Sequence, residues 1–387
     1  MKIYLDNAAT TPLDREVFGA MEPYLFQYYA NPSSAHKQGR EVKQAIERAR
    51  STIADLLNTG SESIIFTSGG TEADNIAIRS AIQSNKIRLA ITTPFEHHAV
   101  LNTLKSLERS GEIQLVYLKH DPNGNLSLQH LESLLSTNTK AFVSVMHGNN
   151  EIANLNDIEQ IGEICNRYNA IFHTDTVQTM GHFAYDLKRL KADFIVGSAH
   201  KFHGPKGTGF LYRRKGNQLV PIIHGGSQEN NGRAGTENVA GIVGLAKALE
   251  ISYRNLTADR TLMEQLKSRL VEKLRLQIPG ISFNGNSANI KESLYTVLSV
   301  SLPPLPYGID ALTFLDNHDI CASGGSACSS HSKGGSHVLH ALGHDAERTV
   351  IRFSLSRLNT ESEIDYAVDC LATCCRNQIN SYSNLIG

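Results

Sequence analysis

A lysine and an aspartate in two separate polar stretches could together support pyridoxal phosphate chemistry. Lys201 lies in SAHKFHGPKG, between His200 and a glycine-rich turn, where loss of solvent would lower its pKa. A neutral lysine can form a Schiff base with a carbonyl group. Asp175, in HTDTVQ, could pair with a protonated pyridine nitrogen, which lets such a ring act as an electron sink. The two residues therefore predict pyridoxal 5'-phosphate as the cofactor.

A glycine pair ahead of a helical segment adds a predicted phosphate site. In FTSGGTEADN the residues Thr71 and Asp74 fit a helix-capping pattern, with Thr71 at the N-cap. Backbone N–H groups left free at a helix start bind anions, most often phosphate. The flat side chain of His97 could stack on the ring. The residues predicted to hold the phosphate are Gly70, Thr71, Ser198 and His200.

A cysteine in a flexible segment is the third chemical signal. Cys328 lies in GGSACSSHSKGG, whose glycines and serines predict an exposed, mobile loop. Such a thiol is a liability unless its reactivity is used, although an unremarkable loop cysteine would fit the same pattern.

These residues must be positioned by an alternation of strands and helices. Short apolar segments predict strands at 63–66, 87–93, 113–118, 140–146, 170–175, 192–197 and 207–212. Helical periodicity fills the segments between most of them. This alternation predicts an α/β fold with a mostly parallel sheet, and ligands bind such sheets at the carboxyl ends of the strands.

The last third of the chain has a different pattern, which predicts a smaller α+β unit. Strands are expected at 294–302, 319–323 and 349–356. Helices are expected near 237–255, at 256–277 and at 361–377. We therefore expect a large domain over 13–255. A small domain would comprise 1–12 and 256–387 and carry the cysteine loop at about 324–337.

Composition excludes several other classes. The 387 residues carry 37 basic and 38 acidic side chains, which argues against nucleic acid or a membrane surface as the main partner. Neither a transmembrane span nor a signal peptide is expected. Six cysteines without framework spacing suit reduced thiols in the cytoplasm. The C-x3-C-C cluster formed by Cys370, Cys374 and Cys375 favours helix packing over a metal site, so no metal is predicted.

The chain resembles the cysteine desulfurases of the NifS/IscS kind, within the fold-type I, class V aminotransferase-like enzymes. The resemblance covers nearly the whole chain in family order. It rests on stretches that include YLDNAATTP (4–12), FTSGGTEADN (66–75), EHHAV (96–100), MHGNNE (146–151), HTDTVQ (173–178), SAHKFHGPKGTG (198–209), RAGTENV (233–239), GGSACSS (324–330) and IRFSLSR (351–357).

The resemblance implies a role for each matching residue. Lys201 would bind the cofactor covalently, Asp175 its pyridine nitrogen and Gln178 its phenolic oxygen. His97 would stack on the ring and act as a catalytic residue that helps proton transfers. Asn150 would lie beside the ring, and Thr236 would reach the phosphate in a partner subunit, which implies a homodimer. Arg352 would bind the substrate carboxylate, with Asn7 and Ala8 lining the pocket. Cys328 would attack the sulfur of L-cysteine, release alanine and keep a persulfide.

The loop context is similar to the group that serves iron–sulfur cluster assembly and tRNA thiolation. The expected partner is therefore a sulfur acceptor, either an iron–sulfur scaffold or a tRNA-thiolation protein, and DNA phosphorothioation stays open. His331, Lys333 and His337 stand where relatives often carry an acidic residue and proline. A selenocysteine lyase and another class V aminotransferase-like enzyme are alternatives. A non-enzymatic sulfur or metal carrier would not need Lys201 with Asp175.

Overall fold

The structure is a computed structural model that describes residues 2–137, 140–305, 309–325, 335–345 and 347–383, with side chains described to residue 376. Cys328, His331 and Lys333 lie outside the described residues.

Strands and helices alternate along most of this range, as the sequence pattern predicts. The strands are β1 (Ile3–Tyr4), β2 (Ile64–Thr67), β3 (Leu89–Thr92), β4 (Gln114–Tyr117), β5 (Ala141–Ser144), β6 (Ile171–Asp175), β7 (Phe194–Ser198), β8 (Gly209–Arg213), β9 (Ser282–Phe283), β10 (Val297–Ser301), β11 (Ile320–Cys321) and β12 (Val350–Ser354). The α-helices are α1 (Arg15–Met21), α2 (Pro23–Phe26), α3 (Lys37–Leu56), α4 (Gly70–Asn85), α5 (His98–Arg109), α6 (Leu128–Ser136), α7 (Ile158–Arg167), α8 (Val239–Gln277), α9 (Ala311–Asp316), α10 (His337–Ala341) and α11 (Glu361–Ser383).

Seven of the strands form one sheet in the order β2-β8-β7-β6-β5-β3-β4. Only β8 runs antiparallel to its neighbours, β2 and β7. Alternate residues of the central strands enter two different hydrophobic clusters, for example Val143 and Phe172 in one and Phe142 in the other. Since successive side chains point to opposite faces, the sheet is buried on both sides. The predicted α/β fold with a mostly parallel seven-stranded sheet is confirmed.

The expectation of two helices over 237–277 is wrong, because α8 is a single helix of 39 residues. The stretch between Ile251 and Leu262 contains neither glycine nor proline, so nothing in it interrupts the helical hydrogen bonds. The first half of α8 packs in one hydrophobic cluster, from Ile242 to Ile251, and the second half packs in another, from Met263 to Leu274. The predicted boundary at 255 falls between these halves, and the domain division itself stays a prediction.

A small antiparallel sheet, in the order β12-β10-β9, stands apart from the large one. The core beside it includes side chains from α8 and α11, and Cys370, Cys374 and Cys375 are buried there. The N-terminal strand β1 pairs with β11, which brings the start of the chain next to this unit. Of the helices that the structure describes, none is long and apolar enough to cross a bilayer.

A buried lysine on α8 predicts a pH dependence of stability. Lys267 is fully buried, and its Nζ donates to Ser293 Oγ at 2.7 Å and to the carbonyl of Leu294 at 2.9 Å. Burial lowers the pKa of this amine to about 7, against 10.5 in the unfolded chain. Between these values only the unfolded chain binds the extra proton, so raising the pH stabilises the fold.

In Lys267→Met this proton linkage is absent. We expect the free energy of unfolding of the wild type to rise relative to Lys267→Met by roughly 1 kcal/mol per pH unit between about pH 7.5 and 9.5. Urea unfolding at both pH values measures the difference. Lys188 is exposed and serves as the control. The difference in the free energy of unfolding between the wild type and Lys188→Met is expected to stay constant over the same pH range. A constant difference between wild type and Lys267→Met would contradict the prediction.

Candidate active site

A cavity of about 220 Å³ opens at the carboxyl ends of β6 and β7, beside the start of α4. It collects the predicted site residues from remote parts of the chain, with the exception of Asn7 and Thr236 among those described. Its lining consists of Ala8, Ala9, Gly70, Thr71, Asp74, His97, Met146, Asn150, Asp175, Val177, Gln178, Ser198, His200, Lys201 and Arg352.

Lys201 enters the cavity from the turn that follows β7. Its Nζ donates to the main-chain carbonyl of Ala9 at 2.9 Å and also to that of Ala8. Both acceptors belong to the N-terminal arm, residues 1–12, so the arm forms the wall that faces the lysine. Carbonyl oxygens hold an amine in place without giving it a permanent counter-charge.

Asp175 ends β6 and is buried. Its Oδ1 accepts a hydrogen bond of 2.8 Å from the N–H of Val177, which orients the carboxyl group. Burial raises the pKa of this acid to about 6, while the hydrogen bond and the charge of Lys201 oppose the shift. The carboxylate form is therefore kept at neutral pH, where it can bind a cationic N–H group.

The start of α4 provides an anion site, although its cap differs from the prediction. Gly69 is the N-cap and no side chain caps the helix, so Thr71 lies inside the first turn. The predicted N-cap at Thr71 is wrong because the helix already begins at Gly70. A Cβ on Gly70 would lie 2.6 Å from Val177 Cγ2, so only glycine fits this close approach. The uncapped N–H groups remain free to bind an anion.

Two further predicted phosphate ligands face this helix start from the end of β7. Ser198 is buried at the last position of the strand, and its Cβ lies 3.7 Å from the ideal Cβ position of Gly70. His200 Nδ1 lies 3.2 Å from Thr10 Oγ1. Burial, with the neighbouring Lys201 and Lys206 charges, lowers the pKa of His200 to about 4, so its ring is neutral.

His97 is the N-cap of α5, and its ring lines the cavity. Its Nδ1 accepts a hydrogen bond of 3.1 Å from the N–H of Ala99. Burial and the nearby Lys201 charge lower the pKa of His97 to about 4. The ring is therefore neutral, and because Nδ1 is an acceptor its proton lies on Nε2. A neutral ring suits stacking on a flat ligand.

Two hydrogen bonds connect residues of the cavity lining to residues 1–12 and to β12. Gln178 Nε2 donates to the carbonyl of Ala8 at 3.0 Å. The main-chain carbonyl of Asn150 accepts from Arg352 Nη1 at 3.0 Å. Asn150, Ala8 and Arg352 all line the cavity, although they come from three distant segments of the chain.

Arg352 is almost completely buried on β12. Its Nη2 forms an ion pair of 2.8 Å with Asp6 Oδ1, a partner that the sequence patterns do not indicate. Its Nε is buried and has no hydrogen-bond partner among the described residues. Arg352 also lines the cavity, and the planar donor set of its guanidinium suits a ligand carboxylate.

Replacing Arg352 by lysine tests this assignment. A lysine cannot reproduce the planar donor set of the guanidinium, so we expect kcat/KM for a carboxylate substrate to fall by about 10²-fold. Steady-state kinetics measure the effect. Arg348→Lys is the matched control, because Arg348 lies just before β12 but outside the cavity, and it should change kcat/KM less than threefold. A similarly small change in Arg352→Lys would contradict the assignment.

Two predicted residues lie apart from this cavity. The Asn7 side chain is buried and donates to the carbonyl of Ser354 at 2.8 Å, so Ala8 and Ala9 provide the arm's lining instead. Thr236 is exposed and lines a neighbouring cleft with Ser68 and Arg233.

Sequence reasoning missed four lining residues, Ala9, Asp74, Met146 and Val177. All four lie within the stretches quoted above for the resemblance, but three are apolar and carry no chemical signal of their own. Asp74 was interpreted as part of a capping pattern, whereas its carboxyl group is buried beside His173 of β6.

The two described ends of the cysteine loop meet close to the cavity rim. Ser336 Oγ donates to the buried carboxylate of Glu151, and the ideal Cβ position of Gly325 lies 3.1 Å from Glu151 Oε2. His337 Nε2 donates to the carbonyl of Glu96 at 2.9 Å, and its ring centroid lies 4.5 Å from that of His98. The loop therefore begins and ends beside His97 and Asn150.

The donor set fits pyridoxal 5'-phosphate. An amine, a buried carboxylate and an uncapped helix start surround one cavity, and they match the aldehyde, the ring nitrogen and the phosphate of this cofactor. The arrangement can bind a flat, anionic ring compound and a small carboxylate beside it.

Comparisons with known proteins agree with this chemistry. The family model for class-V aminotransferases matches residues 3–367. The cysteine desulfurase IscS of Dictyoglomus turgidum is 42% identical over 374 residues, which are 96% of this chain and 93% of that protein. A NifS-like protein of known structure has a TM-score of 0.88 at 36% identity, covering 99% of this chain and 100% of that one. The structure of SspA in complex with cysteine has a TM-score of 0.79 at 31% identity, covering 93% and 100%.

Proposed function

This chain belongs to the class-V aminotransferase family as a cysteine desulfurase of the NifS/IscS kind, and we propose that it uses pyridoxal 5'-phosphate to convert L-cysteine to L-alanine, holding the sulfur as a persulfide on Cys328. One observation carries the proposal: Lys201, Asp175 and the uncapped start of α4 line the same cavity.

Residues from five segments would hold the cofactor. Lys201 Nζ would bind its aldehyde carbon, Asp175 its ring nitrogen and Gln178 its phenolic oxygen. His97, neutral with its proton on Nε2, would stack on the ring beside Asn150. The bound cofactor supplies an electron sink for the substrate carbon. The phosphate would be held by Gly70, Thr71, Ser198 and His200.

The substrate would be oriented by the wall that the arm and β12 form. Arg352, which lines the cavity, would bind the α-carboxylate of L-cysteine, while Ala8 and Asn150 limit the space beside the side chain. Lys201 Nζ would take the α-proton of the substrate and return a proton to the product. The NζH₃⁺ form produced in this way is stabilised by the carbonyls of Ala8 and Ala9.

Sulfur transfer would be a displacement at the sulfur atom of the substrate. The Cys328 thiolate attacks that sulfur, an S–S bond forms and the Cβ–S bond of the substrate breaks. The bonding electron pair goes to Cβ, which takes up a proton and becomes the methyl group of alanine. Cys328 keeps the outer sulfur and passes it to an acceptor.

A single-turnover experiment with L-cysteine tests this function. We expect the wild type to form alanine and a persulfide on Cys328, and Cys328→Ser to form neither while its cofactor absorbance is unchanged. Cys321→Ser is the matched control, because Cys321 lies in β11 paired with Tyr4, and it should behave as the wild type. Alanine formed by Cys328→Ser at the wild-type rate would overturn the proposal.

A homodimer is part of the proposal. Thr236 is exposed and lies outside the cavity of its own chain, which suits a residue that binds the phosphate in a partner subunit. Light scattering of the purified protein tests the oligomeric state. The proposed acceptor is an iron–sulfur scaffold or a tRNA-thiolation protein, and the proposed location is the cytoplasm.

A further inference from the structure

Three carboxyl groups, those of Asp74, Glu96 and Asp175, are buried in or next to the base of the cavity. Within the described part of the chain, the single ion-pair contact of these three acids is the one between Asp74 and His173. Lys201 is the cation whose charge acts on Asp175. Because buried like charges oppose one another, ionisation of one of these acids disfavours ionisation of the others.

Asp74 and His173 form a contact directly behind Asp175. Asp74 lies on α4, and His173 precedes Asp175 by two positions on β6, so their side chains share one face of the sheet. Asp74 Oδ1 lies 3.2 Å from His173 Nε2. His173 Nδ1 lies 2.8 Å from Ser144 Oγ on the adjacent strand, β5. Asp74 therefore lies between the cavity and the hydrogen-bonded side chains of His173 and Ser144.

The contact does not have the geometry of a strong ion pair. Both Asp74 Oδ1 and His173 Nε2 are buried and lack an aligned hydrogen bond among the described residues. Burial lowers the pKa of His173 to about 3, so its ring is neutral. A neutral imidazole offers Asp74 no positive charge that would favour the carboxylate.

Burial, neighbouring charges and hydrogen bonds determine which of the three acids are protonated. Burial, the charge of Asp175 and the charge of Glu96 raise the pKa of Asp74 well above its ordinary range. Burial, more than any other cause, also raises the pKa of Glu96 well above normal, although the N–H of Met146 donates to its Oε1 at 2.7 Å. Asp175 Oδ1 accepts from the N–H of Val177 and the charge of Lys201 acts on it, whereas Asp74 Oδ1 has no hydrogen-bond donor among the described residues. The charge therefore belongs on Asp175.

We propose that Asp74 is a positioning residue whose carboxyl group stays protonated at neutral pH, which keeps Asp175 as the anion that faces the cavity. If Asp74 were ionised, its charge would oppose ionisation of Asp175 and move the proton there. Asp175 could then no longer bind a protonated ring nitrogen. The inference rests on the proposed function, because the proposed cofactor is what gives the Asp175 anion a role. The protonation state of Asp74 can be measured independently of that function.

Infrared spectroscopy of the full chain at about pH 8 tests the proposal, because a protonated carboxyl group absorbs at higher frequency than a carboxylate. The wild type should show two such components, one lost in Asp74→Asn and the other in Glu96→Gln. If a variant does not fold, ¹³C labelling of aspartate carboxyl groups in the wild type should shift only the Asp74 component. A wild type without an aspartate component would overturn the proposal.

Cofactor binding gives a second, independent readout. Asp74→Asn, which imitates the protonated acid, should bind pyridoxal 5'-phosphate within threefold of the wild-type Kd, whereas Asp74→Ala should lose at least tenfold. A tenfold loss in Asp74→Asn would overturn the proposal, since it would mean that a charge is required. Infrared spectra recorded before and after cofactor addition distinguish a failure of the Asp74 proposal from a failure of the proposed function. If the protein does not bind the cofactor, the proposed function is contradicted, while the aspartate component of the spectrum is still present.

Discussion

Replacing Lys201 by alanine is expected to reduce turnover of L-cysteine by at least about 10³-fold. The range expected for removing one positioned proton-transfer group is about 10²–10⁴-fold, and this variant would also lose the proposed covalent attachment of the cofactor. No other described lysine lines the cavity, so none can replace the missing Nζ. Alanine formation under saturating cofactor measures the loss.

The structure also predicts how this variant fails. Lys201 Nζ donates to the carbonyls of Ala8 and Ala9, but the remaining lining comes from other segments, so the cavity should persist. We expect Lys201→Ala to bind pyridoxal 5'-phosphate reversibly, with the absorbance of the free aldehyde. Lys188→Ala, which changes an exposed lysine, should retain wild-type turnover and absorbance. Turnover within tenfold of the wild type in Lys201→Ala would contradict the assignment.

Asp175→Asn is expected to have the second-largest effect, a loss of about 10²–10⁴-fold in kcat with little change in fold. The amide has the same shape and can still accept from the N–H of Val177. It carries no negative charge, however, so it cannot keep the ring nitrogen protonated. Because Lys201 and the α4 start are unchanged, the variant should bind the cofactor and show its colour.

The pH dependence of the wild type follows from the same residue. Burial raises the pKa of Asp175 to about 6, so lowering the pH through this value adds a proton and removes the charge. A bound ring cation favours the carboxylate and moves the transition to lower pH. We therefore expect kcat to fall on the acid side of pH 6. Profiles of the wild type and Asp175→Asn measure this limb, and a full acid limb in Asp175→Asn would exclude Asp175 as its source.

Local sequence patterns were sufficient to predict most strands of the large sheet. Strands such as Ala141–Ser144 and Phe194–Ser198 are apolar and buried throughout, so composition and length predict them without tertiary contacts. Asp175 and Ser198 end their strands, and the rule that parallel strands present ligands at their carboxyl ends placed both in the cavity. The resemblance added roles for Lys201 and Cys328, and the latter lies outside the described residues.

Tertiary packing determined which residues from other segments lie beside these strand ends in the cavity. Arg352 and Asp6 are more than three hundred positions apart, and their ion pair exists because β12 and the N-terminal arm pack side by side. Ala9 faces Lys201 while Asn7 turns away, since the arm's path between the two units selects which side chains point inward.

The protonation of Asp74 is likewise a property of the folded chain. In sequence it fits a surface capping pattern, and only packing of α4 against β6 buries it beside His173 and Asp175. Periodicity encodes whether a residue is buried, because it reflects one helix or strand. It carries no information on which buried groups from other elements share the same low-dielectric space, and that arrangement determines their charges.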